Sequence, residues 1–399
     1  MKNTWRFSGN ELDYIREVID SGFGSGTSGS MNNRFETAFA QKVGVKYAIT
    51  FNSGTSTLHA ALHALGVNAG DEVIIPPLTV ISDVDVVLAQ NAIPVFADID
   101  PDTFNIDPDD IARHITPRTK AIMPVSLYGL SCDLDAIIQI ANTNGIGVIN
   151  DAAQALGAIY KGRPIANIAD ITSYSLENSK HITTGDGGIV VTDNEKYAVK
   201  MRKFNSLGYA AMKSGDGRIR INKDIFQDPD YKRHDSFGFN YRMPEVAAAL
   251  GLAQTERLND FVNLRIAIGG LYKEAIGKCE YLIPQYTPEG SVNTYWTFAV
   301  KYQRDDVSWH EFREKYVEFG GDGIYAAWAL IYEETFMACG DYKKLCPPYY
   351  KDLKYPKGLC PNAESVQPTL MQFVTNYGSV HEAEPQVEAL VRTIEFFDK

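Results

Sequence analysis

The chain is short of the residues that would commit it to a metal, a disulfide frame or a membrane. Its 399 residues include five cysteines, Cys132, Cys279, Cys339, Cys346 and Cys360, an odd and scattered set without a Cys-x-x-Cys pair. That spacing argues against a zinc site or disulfide framework and suits a reducing cytoplasm. The seven histidines form no ligand-like pair except His59 and His63. These stand four apart on an expected helix without the adjacent glutamate of a metalloprotease, and they read as packing or helix-surface residues, so no metal is expected. No apolar run approaches a membrane span, and the opening Met-Lys-Asn-Thr-Trp-Arg-Phe holds no apolar signal core. Basic charge is scarce as well, with 38 Lys and Arg against 50 Asp and Glu, a formal net charge of −12. The acidic excess argues against general binding to nucleic acid or acidic membranes and leaves room only for a local basic pocket. Internal repeats and low-complexity tracts are missing.

What is present is an ordinary apolar content, 45%, on a chain long enough for a large core and two lobes. Helices are expected over 9–21 and 32–43. Strands and helices then alternate: strand 47–51, helix 55–65, strand 73–75, helix 80–90, strand 94–97, helix 108–115, strand 120–125, helix 133–144, strand 146–150. Strands 168–175 and 187–192 follow. This order predicts an α/β fold, a mostly parallel central sheet flanked by helices. Residues 205–238 form a long polar stretch with Arg218, Arg220, Lys223, Lys232 and Arg233, either a functional loop or a solvated one. After Pro244, a helix over 244–259, strands at 280–283 and 294–301, and helices at 308–319 and 382–397 predict a smaller α+β domain. The expected division is 1–244 and 245–399. The aromatic run Gly323 to Trp328, with Tyr332, fits a pocket wall or plain core packing, and Gln367 to Tyr377 carries no pattern we assign.

Three stretches hold candidate chemistry. Lys180 sits in a polar, hydroxyl-rich turn between two strand-like runs, a good place to fix a reactive amine at a sheet edge. Asp151 and Gln154 lie just past the apolar run Ile146 to Ile149, at the carboxyl end of an expected parallel strand, where open α/β sheets bind ligands. An aspartate in such a cleft calls for a cationic partner, a pyridinium or an arginine. Ser53-Gly54-Thr55 opens a helix after a strand, so its free N–H groups suit a phosphate, although Ser and Thr are also ordinary helix caps. A lysine able to hold an aldehyde, an aspartate for a pyridinium and a phosphate cradle together describe a site for pyridoxal 5′-phosphate (PLP).

The ordered set NSGTSTLHAAL, GDEVIIPPLTV, DAAQALGA, SLENSKHITTGDGG and GFNYRMPEVAAALG resembles the DegT/DnrJ/EryC1/StrS aminotransferases. The likeness runs from about residue 10 to about residue 395. It implies the fold-type I PLP-dependent transferase architecture, PLP and PMP as the cofactor forms, and a cytoplasmic homodimer with shared active sites. It also implies transfer of an amino group from L-glutamate or glutamine to a nucleotide-linked keto sugar. By the same resemblance, Lys180 bonds the cofactor and shuttles the proton, and Asp151 pairs with the pyridine nitrogen. Gln154 lies near the phenolic oxygen, while Gly54, Thr55 and Ser175 hold phosphate. Asn240 reaches phosphate across the dimer, and the 205–238 stretch is a hairpin toward the neighbouring subunit. Three departures stand out: Val80 where an aromatic ring is expected on the cofactor face, Leu176 after Ser175, and Asp186 for the usual glutamate before Gly-Gly. Valine can pack on a ring face but cannot stack. A histidine in place of the lysine marks the family's dehydrases; here His181 is adjacent to Lys180. A keto-cyclitol or other small keto acceptor, and a PLP-binding sensor without turnover, are the competing readings.

Overall fold

The computed structural model describes residues 4–277 and 279–399; Met1 to Asn3, part of the opening stretch read for a signal core, lie outside them. Helices α1 (Glu11–Asp20) and α2 (Met31–Val43) precede β1 (Tyr47–Phe51) and α3 (Gly54–Leu65). The alternation continues as β2 (Glu72–Ile75), α4 (Ser82–Ala89), β3 (Ile93–Phe96), α5 (Pro108–His114), β4 (Thr119–Ile122), α6 (Leu134–Asn144) and β5 (Gly147–Asp151). A small hairpin, β6 (Ile159–Tyr160) and β7 (Arg163–Pro164), leads to β8 (Ile171–Ser175) and β9 (Gly188–Thr192), followed by helices α7 (Glu195–Asn205) and α8 (Lys223–Phe226). The large sheet has the order β1-β9-β8-β5-β4-β2-β3. Both pairings of β9 are antiparallel and the remaining pairings are parallel.

Alternate strand residues feed two cores, one on each face of this sheet. Ile49, Phe51, Ile75 and Val190 pack on one side, and Ala48, Ile74, Ile189 and Val191 on the other. The reversal of β9 matters for function. Because β9 begins where β8 ends, residues 176–187 start and finish on the edge that carries the carboxyl ends of the parallel strands. Gly188 makes the return possible, since a Cβ there would lie 2.4 Å from the Ser53 carbonyl oxygen.

Several elements differ in extent from the sequence expectation. Strand 120–125 stops at Ile122, because Pro124 has no N–H to continue the ladder; its carbonyl instead accepts the amide of Asp151 at 2.9 Å. Asp151 is therefore the last residue of β5, not a residue beyond it. The helix expected over 244–259 is two helices, α9 (Glu245–Glu256) and α10 (Leu258–Ala275), separated at Arg257, whose guanidinium is drawn to Ser8, Glu11 and the Arg6 carbonyl. Helix α10 begins in the large core through Leu258, Phe261 and Val262 and ends in a third one through Ile268 and Tyr272. That third core lies under a four-stranded antiparallel sheet, into which the unassigned stretch Gln367 to Tyr377 contributes Leu370–Val374 as an inner strand. Among the described residues, no helix is long and apolar enough to cross a membrane. His59 and His63 pack against Phe204, as the sequence reading expects of packing residues.

Candidate active site

One pocket at the carboxyl edge of the large sheet gathers Gly54, Thr55, Val80, Asp151, Gln154, Ser175 and Lys180. They arrive on four stretches, the start of α3 (Gly54, Thr55), the β2–α4 connection (Val80), the end of β5 (Asp151, Gln154) and the β8–β9 connection (Ser175, Lys180), as expected for a site at the strand ends of an open α/β sheet. Asn240 is the exception. It is exposed, bridges to Ser206, and does not line this pocket. None of the Lys and Arg residues of the 205–238 stretch lines it; Arg218 is bound to Asp216, and Arg233 donates to the Phe226 carbonyl.

The phosphate-type end of the pocket is the start of α3. Ser53 caps the helix by accepting the Ser56 amide at 3.1 Å, and Ser56 reciprocates toward the Ser53 amide at 3.2 Å. That box uses the third amide and leaves those of Gly54 and Thr55 unbonded among the described residues. Ser175 lies against Gly54 so closely that a Cβ there would come within 3.0 Å of the serine Cβ. The Thr55 and Ser82 hydroxyls are 2.9 Å apart. Two free amides at a helix start beside several hydroxyls suit a dianionic phosphate.

Asp151 is 2% exposed, and its Oδ1 accepts the Ala153 amide at 2.9 Å. Burial raises its pKa, opposed by that amide, by the Lys180 charge and by a hydrogen bond with Asp83. Gln154 is equally buried, with Oε1 fixed by the Tyr128 amide at 2.8 Å. Lys180 is half-buried, and its Nζ lies 4.3 Å from the centre of the Trp296 ring. Burial lowers its pKa to about 8, against the upward pull of Asp151 and Glu177. A lowered amine pKa increases the neutral nucleophile near physiological pH. The rate at which the cofactor-free protein captures PLP should therefore rise through about pH 8 and level off above it. Stopped-flow absorbance against pH checks this; a rise deferred to the ordinary lysine range contradicts it.

Sequence reasoning misses what holds the lysine in place. Arg6 is buried and donates to the carbonyl oxygens of Asn178 at 2.5 Å and Lys180 at 2.6 Å. Arg265, also buried, donates to those of Ser179 at 2.7 Å, Lys180 at 3.1 Å and Trp296 at 2.7 Å. Two guanidiniums thus clamp the backbone of one turn. His181 faces away, its Nε2–H donating to the Thr294 carbonyl at 3.0 Å, and burial keeps its pKa well below the usual value. Trp296 and Trp328 supply aromatic surface to the pocket, whereas Tyr332 is core. Asp83, buried beside Asp151, also escaped the sequence reading.

The group these residues suit is an aldehyde carried on an aromatic phosphate: amides and hydroxyls for the phosphate, a buried carboxylate for a ring cation, and a nucleophilic amine. Comparisons with known proteins agree. The chain is 39% identical over 299 residues to GDP-perosamine synthase of Caulobacter vibrioides, covering 74% of this chain and 75% of that one. It superposes on the aminotransferase from Psychrobacter cryohalolentis with a TM-score of 0.81 at 30% identity, over 97% and 96% of the two chains. NtdA from Bacillus subtilis, solved with its cofactor PMP bound, matches with a TM-score of 0.79 at 28% identity, over 99% and 83%. The model of the DegT/DnrJ/EryC1/StrS aminotransferase family matches residues 7–374, so the chain belongs to that family and is a PLP-dependent aminotransferase.

Proposed function

We propose that the chain moves an amino group from L-glutamate, or glutamine, to the keto group of a nucleotide-linked sugar in glycan or polysaccharide synthesis. The observation that carries this reading is the meeting of Lys180, Asp151 and the open start of α3 in one pocket. The sugar acceptor rests on the likeness to GDP-perosamine synthase, whose name carries a nucleotide-linked sugar product.

PLP, when bound, supplies an electron sink that lets an amino acid lose its α-proton. Lys180 Nζ would hold the cofactor's aldehyde carbon and, when free, would accept and return a proton as general base and acid. Its lowered pKa lets it serve in both roles near neutral pH. Asp151 would offer a buried negative charge to the ring nitrogen and so keep that nitrogen protonated. The Gly54 and Thr55 amides and the Ser175 hydroxyl would bind the phosphate, and Gln154 would hydrogen-bond the ring hydroxyl. Val80 would face the ring, and Trp296 and Trp328, which line the same pocket, would supply the aromatic surface that Val80 lacks. Asn240 would complete the phosphate site of a second copy, in keeping with its exposure, so that the working form would be a homodimer. We place the boundary between lobes within α10, where its contacts pass from one core to the other.

Visible absorption of the purified protein with PLP, before and after L-glutamate, tests the first half of the reaction. The expected result is a coloured protein that bleaches on donor addition and recovers with a nucleotide-linked keto sugar. Colour indifferent to glutamate and glutamine would favour the sensor reading. Recovery with free keto-cyclitols alone would move the acceptor out of the nucleotide sugars.

A further inference from the structure

Beside Asp151 lies a second carboxyl that the transfer just described leaves unused. Asp83 stands in the first turn of α4 and is wholly buried. Its Oδ2 accepts the Thr79 hydroxyl at 2.6 Å, while Oδ1 finds no donor among the described residues. The Asp83 and Asp151 carboxyls lie side by side, close enough to share a hydrogen bond if one of them supplies the proton. Two ionised carboxylates cannot make that bond, because neither has a hydrogen to give. One proton between them removes both problems at once: it supplies the missing donor and it spares the interior a second charge.

The surroundings decide which residue carries the proton. Asp151 has a nearby cation, Lys180, and the Ala153 amide to support its charge. Asp83 faces Asp151 and Asp85, both acidic, with only a threonine hydroxyl in its favour. The start of α4 attracts an anion, but that pull is small beside the cost of a fully buried, unpaired charge. The Cys132 thiol, which also faces Asp151, is pushed up to about 12 by burial and stays neutral.

We propose that Asp83 is held as the neutral acid and donates its Oδ1–H to the Asp151 carboxylate, as a positioning residue that fixes the Asp151 charge toward the pocket. The proposal rests on the reading of Asp151 as the cofactor's charge partner. It assigns a job to a residue that no motif marks, at a distance from the reacting atoms. Asparagine at this position keeps a donor for Asp151 and an acceptor for Thr79; leucine keeps neither.

The test combines Asp83→Asn and Asp83→Leu with isotope-edited infrared spectra of aspartate-labelled, cofactor-free protein at neutral pH. A protonated-carboxyl stretch in the wild type that disappears in Asp83→Asn is expected. In the PLP-loaded enzyme, Asp83→Asn should keep kcat within about threefold, whereas Asp83→Leu should lose about 10- to 100-fold with the donor KM little changed, the scale of one hydrogen bond to a charged group. The proposal is overturned if the wild type lacks the stretch, if the stretch survives Asp83→Asn, or if the leucine and asparagine variants turn over alike. Failure of the underlying reading registers separately, as wild-type turnover in Asp151→Asn, and it too would remove the positioning role.

Discussion

Replacing Lys180 with alanine should abolish turnover, by at least about 10⁴-fold in kcat, while leaving the fold intact. The expected loss is large because one side chain performs two tasks in the proposed reaction, covalent attachment of the cofactor and movement of the α-proton. No neighbour can replace it. His181 has its Nε2 engaged by the Thr294 carbonyl and is kept neutral by burial. Arg6 and Arg265 are committed to backbone carbonyls. Stability provides the control. The amine's pKa falls from 10.5 to about 8 on folding, so the fold disfavours its charged form. Below pH 8 the amine is charged in both states and that penalty, on the order of 3 kcal/mol before packing losses, is fully present; it fades as pH rises toward 10.5. Alanine removes the penalty together with the contact on Trp296. The urea midpoint of the cofactor-free variant at neutral pH should therefore match or exceed that of the wild type. A marked fall would make Lys180 a structural residue, and an active alanine variant would sink the assignment outright.

Asp151 and Gln154 were legible in the sequence through the strand that precedes them, and Ser53 to Thr55 through the small and hydroxyl residues that open a helix. An apolar run without alternation marks a parallel strand buried on both faces, and ligands bind where such strands end. Lys180 was legible through its turn between two strand-like runs. Local pattern stops there. Arg6 is 174 residues from Lys180 in the chain, and its role exists only once the N-terminal segment is laid against that turn. Asp83 looks like an ordinary acid in a helix's first turn, and its total burial beside Asp151 is a product of tertiary packing. The division at Arg257 was hidden likewise, since helical periodicity runs through it and only contacts to Ser8 and Glu11 set it apart. The Leu370–Val374 strand lacked a partner in the sequence near it; it pairs with Thr297–Tyr302, about seventy residues earlier. What the motifs do carry is chemistry at the ends of regular elements, and what they omit is the support behind it.

Asp151→Asn separates cofactor binding from catalysis, which Lys180→Ala cannot do. Asparagine is nearly isosteric, and its Oδ1 can still accept the Ala153 amide that now bonds the carboxylate at 2.9 Å. The phosphate end, formed by Gly54, Thr55 and Ser175, is untouched, as is the amine at Lys180. The variant should therefore take up PLP nearly as well as the wild type, with its yellow colour retained. What disappears is a buried negative charge, and a neutral amide cannot hold a proton on the ring nitrogen against burial. The loss should fall on kcat, by on the order of 10³-fold, the size of effect seen when a preorganised electrostatic partner is removed from a dry site. Both donor half-reaction and full turnover should slow together, because each requires the same electron sink. Measured cofactor content alongside single-turnover rates with L-glutamate decides the matter. Normal content with a rate within tenfold of wild type would show that the Asp151 charge is not needed, whereas loss of content with an unimpaired rate per bound cofactor would make Asp151 a binding residue only. The expected pattern, full content and a rate near 10⁻³ of wild type, belongs to a charge that acts on the reaction and not on retention.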